Sequence, residues 1–243
     1  MHRTEQQDSF VRNQDGTLGF YSNPITGCLK RCSYCYAMIM ANDEEKALKQ
    51  QYLANNNIAP IPSSLYNSPY TDPFYPRFKT DELQQIRRRQ KHAGIFICDM
   101  GELFGDWIPR AWQDAVFDTM RSCPQHRFYL LTKQPQNLHL FSPYPENCWV
   151  GVSATDEAMT KNALLHLKQI EVPIKYICFS PLLGKIDIDL TGIDWGIVAA
   201  RNHPHRLPQA EWVTVLVNRL EQIGAKVFLQ DSLNMGSGRR EIP

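Results

Sequence analysis

The sequence predicts an α/β fold built on a parallel sheet. Three observations predict it. Short apolar runs of strand length recur beyond residue 90, amphipathic stretches of helix length separate them, and Pro or Gly punctuates the joints. Such regular alternation joins neighbouring strands by helical crossovers, which parallel strands need. Periodicity alone does not say whether the sheet closes on itself.

The elements follow in order. Before residue 90, an apparent strand gives way to an apparent helix around a cysteine-rich run, and a further helix begins after Thr80. Ile95-Phe96-Ile97-Cys98 is an apolar run after Gly94. Pro109 opens a helix with Trp112, Ala115, Val116 and Met120 on one face, and Pro124 follows its end. Phe128-Tyr129-Leu130-Leu131 is the next strand, and Cys148 to Ser153 another. A helix then carries Met159, Ala163, Leu167 and Ile170. Ile174 to Phe179 and Trp195 to Ala200 are strands. Pro208 opens a last helix with Trp212, Val215, Leu216, Leu220 and Ile223 on one face, Gly224 ends it, and Lys226 to Leu229 is the final strand.

Residues 55–79 break this pattern with five prolines and five aromatic residues, Tyr66, Tyr70, Phe74, Tyr75 and Phe78. A connector this long and aromatic reads either as a wall or lid over a site or as an ordered loop packed by its own rings. No repeat or domain boundary interrupts the chain, so residues 1–243 read as a single domain with this insertion.

Composition narrows the function classes. Hydrophobic residues make up 43% and charged residues 21%, ordinary for a globular protein. A net charge of +1 gives no global field for polyanions, although a local basic groove remains open. The N-terminus is polar through Val11 and no apolar run reaches bilayer length, so neither a secretory leader nor a membrane span is expected, and a cytoplasmic location is. Of seven cysteines, three cluster and four (Cys98, Cys123, Cys148, Cys178) are dispersed. This suits a metal site in a reducing compartment better than a disulfide framework.

The cluster is Gly27-Cys28-Leu29-Lys30-Arg31-Cys32-Ser33-Tyr34-Cys35-Tyr36, with Cys28, Cys32 and Cys35 spaced C-x3-C-x2-C. A tight loop of this length can turn three soft thiolates toward one point, which suits an iron–sulfur cluster or zinc. Three ligands on a four-iron cluster leave one iron open to chemistry.

This run resembles the signature of the radical S-adenosylmethionine (SAM) superfamily, including the aromatic Tyr34 before the third cysteine. Several stretches further resemble a branch of it, often phage-encoded and without an established substrate. These are Asn23-Pro24-Ile25-Thr26-Gly27-Cys28, Met100-Gly101-Glu102-Leu103-Phe104, Leu131-Thr132-Lys133, Trp149-Val150-Gly151-Val152-Ser153 and Pro181-Leu182-Leu183-Gly184. The ending Glu241-Ile242-Pro243 fits the same pattern and leads us to expect a complete C-terminus.

The resemblance implies a partial or near-complete parallel (β/α) barrel of radical SAM type, with its site at the C-terminal mouth. It implies a [4Fe-4S] cluster on Cys28, Cys32 and Cys35, SAM chelated at the open iron, and reductive cleavage to a 5′-deoxyadenosyl radical that starts chemistry on a substrate. An external reductant such as a ferredoxin or flavodoxin is the implied partner. Gly101 and Glu102 are then expected at the SAM amino group, Lys133 at its carboxylate or a substrate anion, and Ser153 at its ribose. From the residues alone, Ser153 reads equally as a helix cap, Glu102 has a turn or helix cap as its alternative, and Lys133 a solvated cation.

Two departures bear on the substrate. Ser180 stands where the branch has a glutamate before Pro-Leu-Leu-Gly, and Ala199-Ala200-Arg201 where it has Gly-Gly-Glu. A hydroxyl and a cation in place of two acids point to an anionic substrate; the phage-type resemblance, with Arg201 and the aromatic segment, implies a nucleotide or nucleic acid first, with peptides and small metabolites open. His203 and His205 follow as His-Pro-His, either a second metal site or solvated loop residues. Arg87, Arg88, Arg89 and Lys91 read as helix C-terminal charges or as a nucleic-acid backbone contact. The reading from a different class is a non-catalytic module whose cysteines hold an iron–sulfur cluster or zinc for nucleic-acid binding.

Overall fold

The computed structural model describes residues 1–3, 9–43, 72–202, 204–235 and 238–243. The chain is a mixed α/β fold around one eight-stranded sheet. Its strands are β1 (His2–Arg3), β2 (Phe20–Ser22), β5 (Gly94–Ile97), β6 (Arg127–Thr132), β7 (Cys148–Ser153), β8 (Ile174–Phe179), β9 (Trp195–Val198) and β12 (Lys226–Leu229), side by side in that order. All neighbours pair parallel except β1 with β2.

Each new parallel strand is added beside the last. With right-handed crossovers, that order puts every connection on one face. The sheet therefore curls into a partial barrel, and β2 and β12 remain unjoined. The free edge of β12 is covered by the chain's own end: Leu229 N–H donates to the Arg239 carbonyl and Glu241 N–H to that of Val227.

The helices α2 (Thr80–Arg88), α3 (Arg110–Ser122), α4 (Glu157–Leu167) and α5 (Ala210–Gln222) cover the convex face. Their buried residues recur at helical spacing, as with Val213, Leu216 and Leu220 on α5. Gly196 lets α5 sit close, because a Cβ there would stand 2.4 Å from Leu220. A helical segment over 36–43, called α1 here, follows the cysteines.

The concave face is aromatic. Alternation along the strands turns Phe96, Tyr129, Trp149, Tyr176, Trp195 and Phe228 inward. Phe10 plugs this floor, its ring edge-on to Phe96 and Trp195 at 5.7 Å between centroids. Tyr176 lies across β7 and donates to the Leu130 carbonyl at 2.8 Å. That path requires Gly151, where a Cβ would meet the Tyr176 ring at 2.3 Å.

The expected β/α alternation beyond residue 90 is present. The curled sheet is a half-barrel, compatible with a partial (β/α) barrel. Two strands end earlier than the apolar runs suggested. Cys98 leaves β5 with φ +62°, and Ala199 and Ala200 lie past β9. The connection after β6 holds a 3-10 helix, Pro135–Phe141, where an α-helix would complete the alternation.

Of the insertion at 55–79, residues 55–71 lie outside the described residues. Its remaining part is ordered: β4 (Arg77–Phe78) pairs antiparallel with β3 (Ile25–Thr26), and Phe78 stacks on Trp112 at 5.4 Å. No described helix is long and apolar enough to cross a membrane.

Candidate metal and cofactor site

The cysteine loop leaves β3 at the C-terminal end of the sheet and is held there by backbone. Gly27 N–H donates to the Met100 carbonyl and Cys28 N–H to that of Phe74, at 2.8 and 3.0 Å. Gly27 has φ +85°, and a Cβ on it would meet the Tyr75 carbonyl oxygen at 2.5 Å. Gly101 bridges Gly27 in parallel, and a Cβ on Gly101 would stand 2.6 Å from the Ile25 carbonyl oxygen. The close approach that Gly101 permits is thus to the strand leading into the cysteines. Arg31, also at positive φ, is paired with Asp72. The described part of the insertion therefore packs against the cysteine loop.

Cys28, Cys32 and Cys35 are free and half-buried, whereas Cys98, Cys123, Cys148 and Cys178 are free and buried. Burial pushes the thiols of Cys148 and Cys178 up to about 12, which keeps them protonated and inert at neutral pH. Among the described residues, no three His, Cys, Asp or Glu side chains converge tightly enough to hold a metal ion. The loop thiols nevertheless fit an iron–sulfur group by donor chemistry. They are soft, accessible and carried on one short loop.

Around the loop stand the other expected residues. Glu102 is 5% exposed and its carboxylate is occupied. Oε1 accepts from the Thr132 hydroxyl at 2.6 Å and from Phe104 N–H at 3.1 Å, and Oε2 accepts from Lys133 N–H at 2.9 Å. Burial raises the carboxyl above its ordinary range, and these three donors only partly offset it. Glu102 thereby ties the end of β5 to the end of β6.

Lys133 is half-buried. Its Nζ lies 3.5 Å from the Ser153 hydroxyl and 5.9 Å from the centre of the Tyr34 ring. Its backbone carbonyl accepts from Lys30 Nζ at 2.8 Å. Ser153 does not cap the helix after it. Asp156 does, accepting from Met159 N–H at 2.9 Å, so the Ser153 hydroxyl is left to Lys133. Burial, then the Cys32 thiol beside it, lifts the Tyr34 phenol to about 12, so the ring stays neutral against Lys133. Tyr36 opens α1 and donates to the Asp99 carbonyl at 3.0 Å.

The structure therefore gathers the cysteine loop, Gly101, Glu102, Lys133 and Ser153 over the ends of β5, β6 and β7. Ser180 and Arg201 follow β8 and β9 at the same end. At ordinary strand spacing, β9 stands about 14 Å round the sheet from β6. Ser180 precedes Pro181 through a cis peptide bond. Arg201 is half-buried at the base of a small hairpin of β10 (Arg201–Asn202) and β11 (His205–Arg206). His205 is exposed and bonds the Ser232 carbonyl at 3.0 Å, while His203 lies outside the described residues.

Sequence reasoning missed Asp156 and Asp72, and it placed Thr132 beside Lys133 toward a ligand anion, whereas its hydroxyl donates to Glu102. Asp156 had a local signal, an acid just ahead of an amphipathic stretch. The Thr132–Glu102 and Asp72–Arg31 pairings span 30 and 41 residues of chain and had none.

The basic run at 87–91 belongs to the other end of the sheet. Arg87 donates to the Thr119 hydroxyl, and the Arg89 guanidinium lies 4.1 Å over the Phe20 ring. Arg89, Lys91 and His92 help line a cavity of about 370 Å³ beside the starts of β2 and β5, opposite the cysteine loop.

No curated protein and no solved structure matches the chain. A family model described as a protein of unknown function, DUF5131, matches residues 19–235, which run from the start of β2 past the end of β12, and the chain belongs to that family.

Proposed function

We infer that the chain is a radical SAM enzyme acting on an anionic substrate, with a nucleotide or nucleic acid favoured. One observation carries the reading. The three half-buried thiols at radical SAM spacing stand on a loop braced over the C-terminal end of a partial (β/α) barrel, where such folds hold their chemistry. The other four cysteines are buried away.

Cys28, Cys32 and Cys35 would hold the [4Fe-4S] cluster, which when bound supplies the electron for cleaving SAM. The chain's own residues do the rest. Lys133 and Ser153 offer a cation and a hydroxyl together beside the loop, suited to a carboxylate and a sugar hydroxyl. The occupied Glu102 carboxylate positions Lys133 by fixing its backbone N–H. The aromatic floor, sealed by Phe10, excludes water beneath the reacting groups. Ser180 and Arg201 are the residues assigned to the substrate, and a guanidinium there favours a phosphate or carboxylate.

Metal analysis with electron paramagnetic resonance tests this. Anaerobically reconstituted protein should hold about four irons and show a reduced-cluster signal that changes when SAM is added. One zinc and no iron would instead identify a non-catalytic binding module.

A further inference from the structure

Away from the cysteine loop, at the N-terminal end of the sheet, the chain holds a cavity of about 370 Å³. One part of its lining is the turn between Asn13 and Thr17. Asn13 pins that turn to the sheet. Its side-chain oxygen accepts from Gly94 N–H at 2.9 Å, and its amide donates to the Thr17 hydroxyl and the Leu18 carbonyl, both at 2.9 Å. The rest of the lining is Phe20, half-buried at the start of β2, with Arg89, Lys91 and His92 from the segment that joins α2 to β5.

The cations here lack the partners that usually quench them. The Arg89 guanidinium lies 4.1 Å over the Phe20 ring, its Nε is buried without an acceptor, and among the described residues it forms no ion pair. Packing on a ring, not a carboxylate, therefore holds it in place. Lys91 likewise forms no ion pair among the described residues. The acid of the cavity is Asp15. The Thr17 hydroxyl at 2.6 Å, then the Thr17 N–H at 3.0 Å, lower its carboxyl, and Lys91 adds a smaller pull. Burial, then the Arg127 charge, lowers the His92 value, so at neutral pH its ring offers an N–H and no charge. Arg127 is itself stacked over the Trp149 ring, at 4.2 Å. Three cations, Arg89, Lys91 and Arg127, thus act on the cavity against one acid. The C-terminal dipole of α2 subtracts about half a charge, which leaves an excess of about one and a half.

We propose that this cavity binds a small phosphate monoester, with its phosphate on Arg89 and Lys91 and its organic part in the remaining volume along Phe20. The proposal goes beyond the enzyme reading and stands without it. A phosphate monoester carries about 1.5–2 negative charges at neutral pH, which matches the excess. Its three acceptor oxygens meet a guanidinium fork, an ammonium and a ring N–H, all donors. A carboxylate would bring one charge and two oxygens. The cavity falls in the range of small-ligand sites, about 300–1,000 Å³, and a bare phosphate would leave most of it empty. A nucleic-acid backbone would need a wider run of cations. Arg88 is outside the lining, and Arg87 is turned to the Thr119 hydroxyl at 2.9 Å.

The test is isothermal titration calorimetry of the full reconstituted chain at low salt, with phenyl phosphate, inorganic phosphate and benzoate as probes. Phenyl phosphate should bind more tightly than either of the others. Arg89→Met and Lys91→Met should each weaken it about tenfold, as for loss of one charge-assisted hydrogen bond. Asp15→Asn removes the acid and keeps an acceptor for Thr17, so it should tighten binding, a gain that a damaged fold does not produce. Arg88→Met should leave binding unchanged. Circular dichroism establishes that each variant is folded. Benzoate bound as tightly as phenyl phosphate would overturn the phosphate assignment, and inorganic phosphate bound as tightly would overturn the organic part. No binding at millimolar probe, or binding untouched by both Arg89→Met and Lys91→Met, would overturn the site. Iron loading and SAM cleavage report on the enzyme reading separately, because no residue varied here stands at the cysteine loop.

Discussion

The Glu102 carboxylate accepts a 2.6 Å hydrogen bond from the buried Thr132 hydroxyl, thirty residues along the chain. With Phe104 and Lys133 N–H on the same carboxylate, this contact makes Glu102 a brace between two strand ends. Glu102→Ala would strand three buried or half-buried donors. Stability should fall by about 3–5 kcal/mol, since each lost charged acceptor costs about 1–3 kcal/mol and neighbouring losses are not additive. Urea unfolding measures it. A variant of unchanged stability that loses only SAM affinity would show that Glu102 serves the ligand directly.

The same carboxyl gives a pH dependence. Burial raises its value in the folded chain above the ordinary 4.5, so the folded state keeps this proton to higher pH than the unfolded state. Its contribution to stability is then complete below 4.5 and declines as pH rises through the folded value. Glu102→Gln does not ionise. The stability difference, wild type minus Glu102→Gln, should therefore shrink as pH climbs from 4.5 toward neutrality. A difference that grows over that range would reverse the sign of the argument.

Gly27 and Gly101 should tolerate no side chain. A Cβ at either would meet backbone carbonyl oxygen at 2.5 or 2.6 Å, and Gly27 also has φ +85°. Ala at either site should loosen the cysteine loop, seen as faster amide exchange across 27–36 and reduced iron loading. Gly16→Ala is the control, since it also has positive φ but nothing within 4 Å of the added carbon. It should cost about 1 kcal/mol and leave iron loading alone. Equal effects at all three sites would mean that loop packing is not what the glycines serve.

Lys133→Met retains the stem and removes the charge. If Lys133 meets the SAM carboxylate, affinity for SAM should drop by about 1.5–3 kcal/mol while iron content holds, as for loss of a charge-assisted hydrogen bond. Ser153→Ala should cost less, about 0.5–1.5 kcal/mol. Isothermal titration under anaerobic conditions separates the two. Unchanged affinity in both would move the SAM site elsewhere on the rim.

The sheet was legible because its signals are local. Each of β5 to β9 and β12 is a bounded apolar run, and helices α2 to α5 bury residues at helical spacing. The spacing of Cys28, Cys32 and Cys35 places them on one short loop, and all three are half-buried there. What escaped depends on contacts between distant residues. Phe10 fills the barrel floor only because six strands bring their aromatic residues to it. The β3–β4 pair joins Ile25 to Phe78 across a long insertion, and no periodicity announces strands of two residues. The apolar run Trp195 to Ala200 promised a longer strand than β9, yet Ala200 N–H bonds a side chain and the chain turns into the hairpin. Ser153 stood as the candidate helix cap by type, and only geometry assigned the cap to Asp156.

The central claim is tested most directly by incubating reduced, reconstituted protein with SAM and quantifying 5′-deoxyadenosine by chromatography. The account predicts product from the wild-type chain and none from Cys32→Ala, which loses one of the cluster's three protein ligands, whereas Cys123→Ala should retain activity. A wild-type chain with a full, reduced four-iron cluster that releases no 5′-deoxyadenosine, or a Cys32→Ala chain that still does, would contradict it.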